Sequence, residues 1–143
     1  MSTAAPALAV VHTAVFAAVP AQVGSARAWA VTTSGLPDDA AADLALITSE
    51  LATNACRHSC SARPGGAYTL TLTRHEDRVR ITVTDAGPRA VGAGRRPQPA
   101  TGAEESGRGL ALVAAFAHAW GVDNDTGGTR VWAEVRTAPD AGA

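Results

Sequence analysis

The chain has 143 residues, a formal net charge of −1 and 17% charged residues. This length fits one domain with a hydrophobic core, so we expect a single domain over residues 1–143. The balanced charge gives no sign of a nucleic-acid groove or a polybasic membrane surface. All 12 basic residues are Arg, which excludes a P-loop and an ordinary protein-kinase fold because both depend on a Lys.

The first apolar segment, residues 7–19, has no Arg or Lys before Arg27 and therefore lacks the charged region of a signal peptide. It is also too short to span a bilayer. We predict a buried strand over residues 8–18 and a cytoplasmic protein with no membrane segment. Pro20 suits a first helical turn and Gly35 a helix C-terminus, so the chain between them predicts a first helix.

A long helix is predicted from Asp38 to about Ser59, and a polar row follows one edge of it. Glu50, Asn54 and His58 recur every four residues and therefore line up on one side of the helix. The neighbouring stripe is apolar and consists of Leu44, Ile47, Leu51 and Ala55. A carboxylate and an amide one turn apart at a core boundary can bind a hard cation and orient a nucleophile. An ordinary helix whose polar edge meets water would show the same row, so the segment alone leaves both interpretations open.

The two cysteines of the chain, Cys56 and Cys60, flank His58 on the same helix. Three potential ligands on one helix, without a second cluster, are a weak zinc signal. Two reduced thiols with a structural role in a cytosolic protein are the favoured interpretation.

Two segments alternate with the period of a half-buried strand, residues 68–72 and 79–83, and a hairpin turn over residues 75–78 joins them. Asp85 has the same parity as the apolar residues of the second segment. If the strand continues that far, the carboxylate faces the core and requires hydrogen-bond donors. If the strand ends at Thr84, Asp85 is only a turn residue before Gly87.

Residues 87–106 are rich in Gly, Pro, Ala and Arg and show no apolar periodicity. A loop of this length in a compact domain is usually functional, as a lid or a binding loop. Gly107 is predicted to open an apolar helix that runs to about Trp120. A glycine-rich helix N-terminus favours an anion because its N–H groups are bare and the absent side chains permit close approach.

The C-terminal part predicts a last hairpin of residues 119–124 and 129–136, in which Thr129 has the parity of the apolar residues. The predicted order is strand, two helices, two strands, lid, helix and two strands. It indicates an α+β two-layer sandwich: a mixed, mainly antiparallel sheet with about three helices packed on one face.

Four of these segments, in this order, resemble the motifs of the GHKL superfamily of ATPases, which includes gyrase, a heat-shock chaperone, histidine kinases and mismatch-repair ATPases. Residues 50–58 resemble the N box, residues 85–88 the first glycine box, residues 107–113 the second glycine box and residues 128–131 the last motif. The resemblance covers essentially the whole chain. The pattern Ser-Glu-Leu-x-Thr-Asn-Ala-x-x-His and the short chain are most similar to bacterial anti-sigma-factor serine/threonine kinases.

This resemblance implies a Bergerat ATP-binding fold that uses ATP and Mg²⁺. Asn54 would bind Mg²⁺ through its side-chain oxygen, and Glu50 would be the general base or the orienting group that prepares the acceptor hydroxyl. Asp85 would accept a hydrogen bond from the adenine amino group, with Thr129 supporting that contact. The segment 88–106 would form the ATP lid. The other implied binding positions lie at the end of the N box and in the two glycine boxes: His58, Gly87, Gly107, Arg108, Gly109 and Leu110.

The function that the resemblance implies is an anti-sigma regulatory factor. It would bind a sigma factor and phosphorylate a serine or threonine of an antagonist protein, with no direct contact to nucleic acid. Glu104 and Glu105 stand where some relatives have an Arg near the terminal phosphate, and Arg108, Arg95 or Arg96 are the candidates to replace it. The alternative is a nucleotide-gated protein-binding module without phosphotransfer activity. A homodimer is compatible with both.

Overall fold

The protein is described by a computed structural model over residues 9–58, 65–85, 104–125 and 128–137. These ranges contain five strands and three α-helices, the first helix being preceded by a 3-10 turn at Pro20–Gln22. In chain order they are β1 (Val10–Ala17), α1 (Val23–Ser34), α2 (Asp38–His58), β2 (Ala67–Arg74), β3 (Arg78–Asp85), α3 (Glu104–Phe116), β4 (Ala119–Asp125) and β5 (Gly128–Arg136). This order is the one that the sequence predicts.

The five strands form one sheet in the order β1-β2-β3-β5-β4. Every neighbouring pair is antiparallel, so the described sheet is antiparallel throughout rather than mixed. Alternate residues of β2 and β3 are buried, as the period-two pattern predicts. The α+β sandwich that the sequence predicts is confirmed.

One face of the sheet is covered by the helices and carries the core. α2 packs on both α1 and α3 and on the central strands β3 and β5. Its buried residues follow the predicted apolar stripe, since Leu44, Ile47, Leu51 and Ala55 are at most 1% exposed. They meet the inward-facing residues of the strands, chiefly Tyr68, Leu70, Leu72, Val79, Ile81, Val83 and Ala133. None of the helices in the described ranges is both long and apolar enough to cross a membrane.

The first strand differs from its prediction, because β1 is an edge strand and not a buried one. β1 pairs with β2, and alternate residues along it are exposed. Val11 and Val15 are 57% and 66% exposed, on the side of the sheet that faces away from the helices. The apolar composition of residues 7–19 therefore reflects one partly covered face at the rim of the sheet, with Phe16 packed against Trp29 and Tyr68.

The helix of the second glycine box also differs from its prediction at both ends. α3 begins at Glu104 and not at Gly107, so the predicted lid, residues 88–106, overlaps the first turn of this helix. α3 ends at Phe116 rather than near Trp120, because His118 already donates a hydrogen bond to the carbonyl of Glu134 in β5 at 2.7 Å.

Candidate functional site

The central feature of the predicted site is the last residue of β3. The strand extends to Asp85, whose Cα partner in β5 is Thr129. Both residues continue the inward-facing series of their strands. In this series Val83 is opposite Val131 and Ile81 is opposite Ala133. Thr129 is only 8% exposed and Asp85 is half-buried. Asp85 is therefore a strand residue on the helix-covered face, and the turn interpretation is wrong.

The start of β5 is shaped by Gly128, which immediately precedes Thr129. Its φ of 140° lies in a region that side-chain-bearing residues rarely adopt. On its other side, β5 pairs with β4, and there the Cα partner of Thr129 is Asn124. The backbone register thus places Asp85, Thr129 and Asn124 in one row across three strands. Asn124 was not among the predicted site residues, and only its backbone position in this row is described.

The polar row of α2 lies at the margin of the buried face, as predicted. Glu50 and Asn54 are both half-buried, next to Leu51 and Ala55, which are 1% exposed. α2 packs against β3 and β5, the two strands that carry Asp85 and Thr129. A carboxylate and an amide thus line the edge of the helix that covers the site strands.

The C-terminal half of α2 lies at the same end of the sheet as Asp85. Burial is the main cause that raises the pKa of the Tyr68 hydroxyl, and the charge of Cys56 is the second cause. Cys56 therefore lies close to Tyr68. Tyr68 is at the start of β2, and the adjacent Thr69 is the Cα partner of Thr84 in β3. The turn of α2 that contains Asn54 therefore shares its end of the sheet with the Asp85–Thr129 pair.

The two glycines of the second glycine box lie within the first two turns of α3. Gly107 is the fourth residue of the helix and Gly109 the sixth, so the helix entry with its bare N–H groups is formed by residues 104–106. Leu110 is half-buried. Gly87 and residues 88–103 of the predicted lid lie outside the described residues, as do the side chains of His58 and Arg108.

Of the predicted group Cys56, His58 and Cys60, the described side chain is that of Cys56. Cys56 is a free thiol, and burial raises its pKa. Cys60 lies outside the described residues. Within the described ranges, no three His, Cys, Asp or Glu residues lie together in a group that could hold a metal ion.

A second polar feature, which the sequence reasoning missed, lies on the face of the sheet that the helices leave open. Residues of β3, β5 and the adjoining turns surround a cleft of about 340 Å³: Asp77, Arg78, Arg80, His118, Glu134 and Arg136. The sequence feature that could have predicted this cleft is the series of charged residues that alternate with buried ones along β3 and β5.

The two-layer architecture, with an inward-facing acid at the end of a central strand, is that of the Bergerat ATP-binding fold. The sequence model of the histidine kinase-like ATPase domain matches residues 16–135. The chain belongs to this family, and ATP is the ligand that the family implies.

A solved structure with the same fold is that of the RsbU and RsbW domains of Rv1364c from Mycobacterium tuberculosis, with a TM-score of 0.63 and 16% sequence identity. The match covers 90% of this chain and 33% of that one, so the present chain spans about a third of the length of this neighbour. No curated protein matches the sequence.

Proposed function

We propose that this protein is an ATP-binding anti-sigma regulatory factor that phosphorylates a serine or threonine of an antagonist protein. The observation that carries the proposal is the register of β3 and β5, which sets Asp85 opposite Thr129 on the helix-covered face. A half-buried carboxylate at a strand end has several acceptor sites, so it can accept a hydrogen bond from a ligand in addition to its contacts within the protein. The amino group of adenine can donate such a bond.

The residues at this end of the sheet fit an adenine ring. Asp85 would accept from the amino group, and the Thr129 hydroxyl, which both donates and accepts, would support the contact. Half-burial leaves Asp85 open to a ligand, whereas Thr129 is only 8% exposed. In the proposal these two residues supply base recognition and take no part in the chemistry.

The edge of α2 would serve the phosphate end of the site. The side-chain oxygen of Asn54 is a suitable ligand for Mg²⁺, a hard cation that prefers oxygen donors. Glu50, one turn earlier, would accept the proton of the acceptor hydroxyl. ATP would supply the phosphoryl group, ADP would leave, and the product would be a phosphoserine or phosphothreonine. Since phosphoryl transfer depends mainly on positioning and charge neutralisation, the helix needs to hold these two groups in place.

The regulatory part of the proposal is partner switching. The chain would bind a sigma factor and keep it from the transcription machinery, and the unphosphorylated antagonist would compete for the same protein. Phosphorylation of the antagonist would release it and restore binding of the sigma factor. The support is the family membership, the RsbW domain in the structural neighbour and the similarity of residues 49–58 to anti-sigma kinases. Such a function implies a cytoplasmic location.

The deciding experiment is to incubate the purified protein with γ-labelled ATP, Mg²⁺ and antagonist-type proteins from the same genome. Label on a serine or threonine of one of them is the expected result. If ATP binds and changes the affinity for a partner, but no candidate protein is labelled, the protein is a nucleotide-gated binding module. If neither ATP nor ADP binds, the proposal fails at its first step.

A further inference from the structure

We propose that the cleft on the open face of the sheet is a docking site for an acidic segment of a partner protein. The site is distinct from the nucleotide site, because its residues have the opposite parity along β3 and β5 and face away from the helices. It does not depend on the proposed kinase activity. Within the described residues, it combines three guanidinium groups, two carboxylates and one imidazole around about 340 Å³.

The charge of the cleft favours an anion. Three positive charges, on Arg78, Arg80 and Arg136, stand against the two negative charges of Asp77 and Glu134. Arg78 and Arg136 are direct Cα partners across β3 and β5. Like charges in directly opposed positions destabilise a sheet. A carboxylate that enters between them relieves this repulsion and gains charge-assisted hydrogen bonds.

The guanidinium groups are held in place rather than loose. Glu134, whose side chain is 9% exposed, contacts Arg80 Nε at 2.9 Å and Arg78 Nε at 3.2 Å. Arg78 also bonds Asp77 at 2.9 Å. Arg136 Nε donates to Nδ1 of His118 at 3.2 Å, and its Nη2 lies 3.1 Å from Nε2 of the same ring. Prepositioned Arg side chains lose less conformational entropy when a ligand binds.

An aromatic platform adjoins the charged groups. The guanidinium carbon of Arg80 lies 3.8 Å from the centre of the Trp132 ring. The indole lies directly over Gly121 of β4, where an added Cβ would be 2.8 Å from three ring atoms. Trp and Arg, together with Tyr, are enriched among the residues that dominate binding at protein interfaces. The ligand that fits this combination is a peptide with adjacent carboxylates and an apolar side chain, more than a free inorganic anion.

The test uses nuclear magnetic resonance on the full ¹⁵N-labelled chain without nucleotide, so its outcome is independent of ATP binding. The probe is the blocked hexapeptide Glu-Asp-Leu-Glu-Asp-Glu, compared with its amide counterpart Gln-Asn-Leu-Gln-Asn-Gln and with inorganic phosphate. The expected result is saturable shifts of the Trp132 indole N–H and of the Nε–H signals of Arg80 and Arg136 with the acidic peptide alone.

Three variants and one control make the result specific. Arg80→Gln and Arg136→Gln are each expected to weaken peptide binding by about tenfold, the effect of a lost charge-assisted hydrogen bond. Glu134→Gln removes one negative charge from the cleft but keeps a side-chain oxygen that can still hold Arg78 and Arg80, so it is expected to tighten binding, a change that unfolding cannot mimic. Arg74→Gln, an exposed Arg outside the cleft, is expected to leave binding unchanged.

Several outcomes would overturn the proposal. The absence of saturable shifts in the folded parent would exclude an acidic docking site. Equal shifts with phosphate or with the amide peptide would reduce the cleft to a general anion site or a non-specific surface. A dimer in sedimentation experiments that Arg136→Gln dissociates would show that a second copy of the chain occupies this face instead.

Discussion

Asp85 and Thr129 are directly opposite each other at the end of β3 and the start of β5, both in the inward-facing series of their strands. A carboxylate paired with a hydroxyl in this position forms a polar end to an otherwise apolar core. The nearest inward-facing neighbours of the pair are Val83 and Val131, so the change from apolar to polar occurs within one step of the strand repeat. We interpret this boundary as the floor of the adenine site.

The first prediction concerns the carboxylate of Asp85. Asp85→Asn is expected to weaken ATP and ADP binding by about 1–3 kcal/mol, because an amide NH₂ group would meet the adenine amino group, donor against donor. Isothermal calorimetry with each nucleotide measures the loss. The matched control is Asp123→Asn, an exposed Asp on the opposite face of β4, which should bind nucleotide like the parent. If Asp85→Asn binds nucleotide as tightly as the parent and the control do, Asp85 does not contact the base.

The second prediction separates Glu50 from Asn54 on α2. A general base acts mainly in the transition state, whereas a metal ligand acts already in the ground state. Glu50→Gln is therefore expected to keep nucleotide affinity within a few-fold but to lower phosphotransfer by about 10²-fold or more. Asn54→Ala should lose Mg²⁺-dependent ATP binding and phosphotransfer together.

The control for these two variants is Glu76→Gln, an exposed residue in the β2–β3 turn, which should match the parent in both assays. Single-turnover transfer with labelled ATP and nucleotide calorimetry provide the two readouts. If Glu50→Gln transfers phosphate at the parent rate, a different group accepts the proton and the assigned role is wrong.

The parts of the fold that depend on local patterns could be predicted from the sequence. Strict alternation predicted which residues of β2 and β3 are buried. It also predicted that Asp85 faces inward if β3 continues two residues beyond Val83, as it does. The four-residue spacing along α2 gave the half-buried row of Glu50 and Asn54. In each case the decisive interaction is between residues close in the chain, so periodicity reports it directly.

The parts that depend on strand order could not be predicted in this way. The exposure of Val11 and Val15 follows from their place on the outward face of β1 at the edge of the sheet, which is set by pairing with β2 more than fifty residues later. The open-face cleft exists because β5 lies next to β3, which brings Arg136 opposite Arg78 and Glu134 opposite Arg80. The hydrophobic pattern of a strand shows which of its faces is buried, but it does not show which strands become neighbours.

The third prediction concerns Gly121, over which the Trp132 indole lies. Gly121→Ala is expected to destabilise the fold by about 1–3 kcal/mol, since a Cβ at 2.8 Å from the ring forces the indole and the stacked Arg80 to move. Gly24→Ala is the matched control, because the nearest atom there is the end of the Arg27 side chain at 3.5 Å. Because Gly24 lies in the first turn of α1, where helix propensity counts less than in the interior, this change should stabilise by up to about 0.5 kcal/mol.

Urea denaturation of both glycine variants, followed by circular dichroism, gives the two free energies of unfolding. The signs are expected to be opposite. A stability of Gly121→Ala equal to or above that of the parent would show that the Trp132 ring does not lie against β4 in solution.

The last prediction concerns the hydroxyl of Tyr68, the one tyrosine of the chain. The residue is 1% exposed, and its oxygen finds no hydrogen-bond partner among the described residues. Burial, and secondarily the charge of Cys56, raises the pKa of Tyr68 to about 12. Removing a buried hydroxyl without a partner is close to neutral or stabilising, so Tyr68→Phe should keep the parent's stability at pH 7 within about 1 kcal/mol.

At alkaline pH the parent and the variant should diverge. The unfolded chain loses the tyrosine proton near its ordinary pKa of about 10, whereas the folded chain retains it until about pH 12. Because the folded state then holds more protons than the unfolded state, the stability that Tyr68 contributes is complete below about pH 10 and declines as the pH rises towards 12. Tyr68→Phe should lack this part of the decline, so comparison with the parent isolates it from the titration of Cys56.

Phenolate absorbance at 295 nm reports on Tyr68 alone, and urea denaturation at pH 8 and pH 11 gives the stabilities. A phenolate that forms near pH 10 in the folded protein, or parallel declines in the two proteins, would show that the ring is not buried as described.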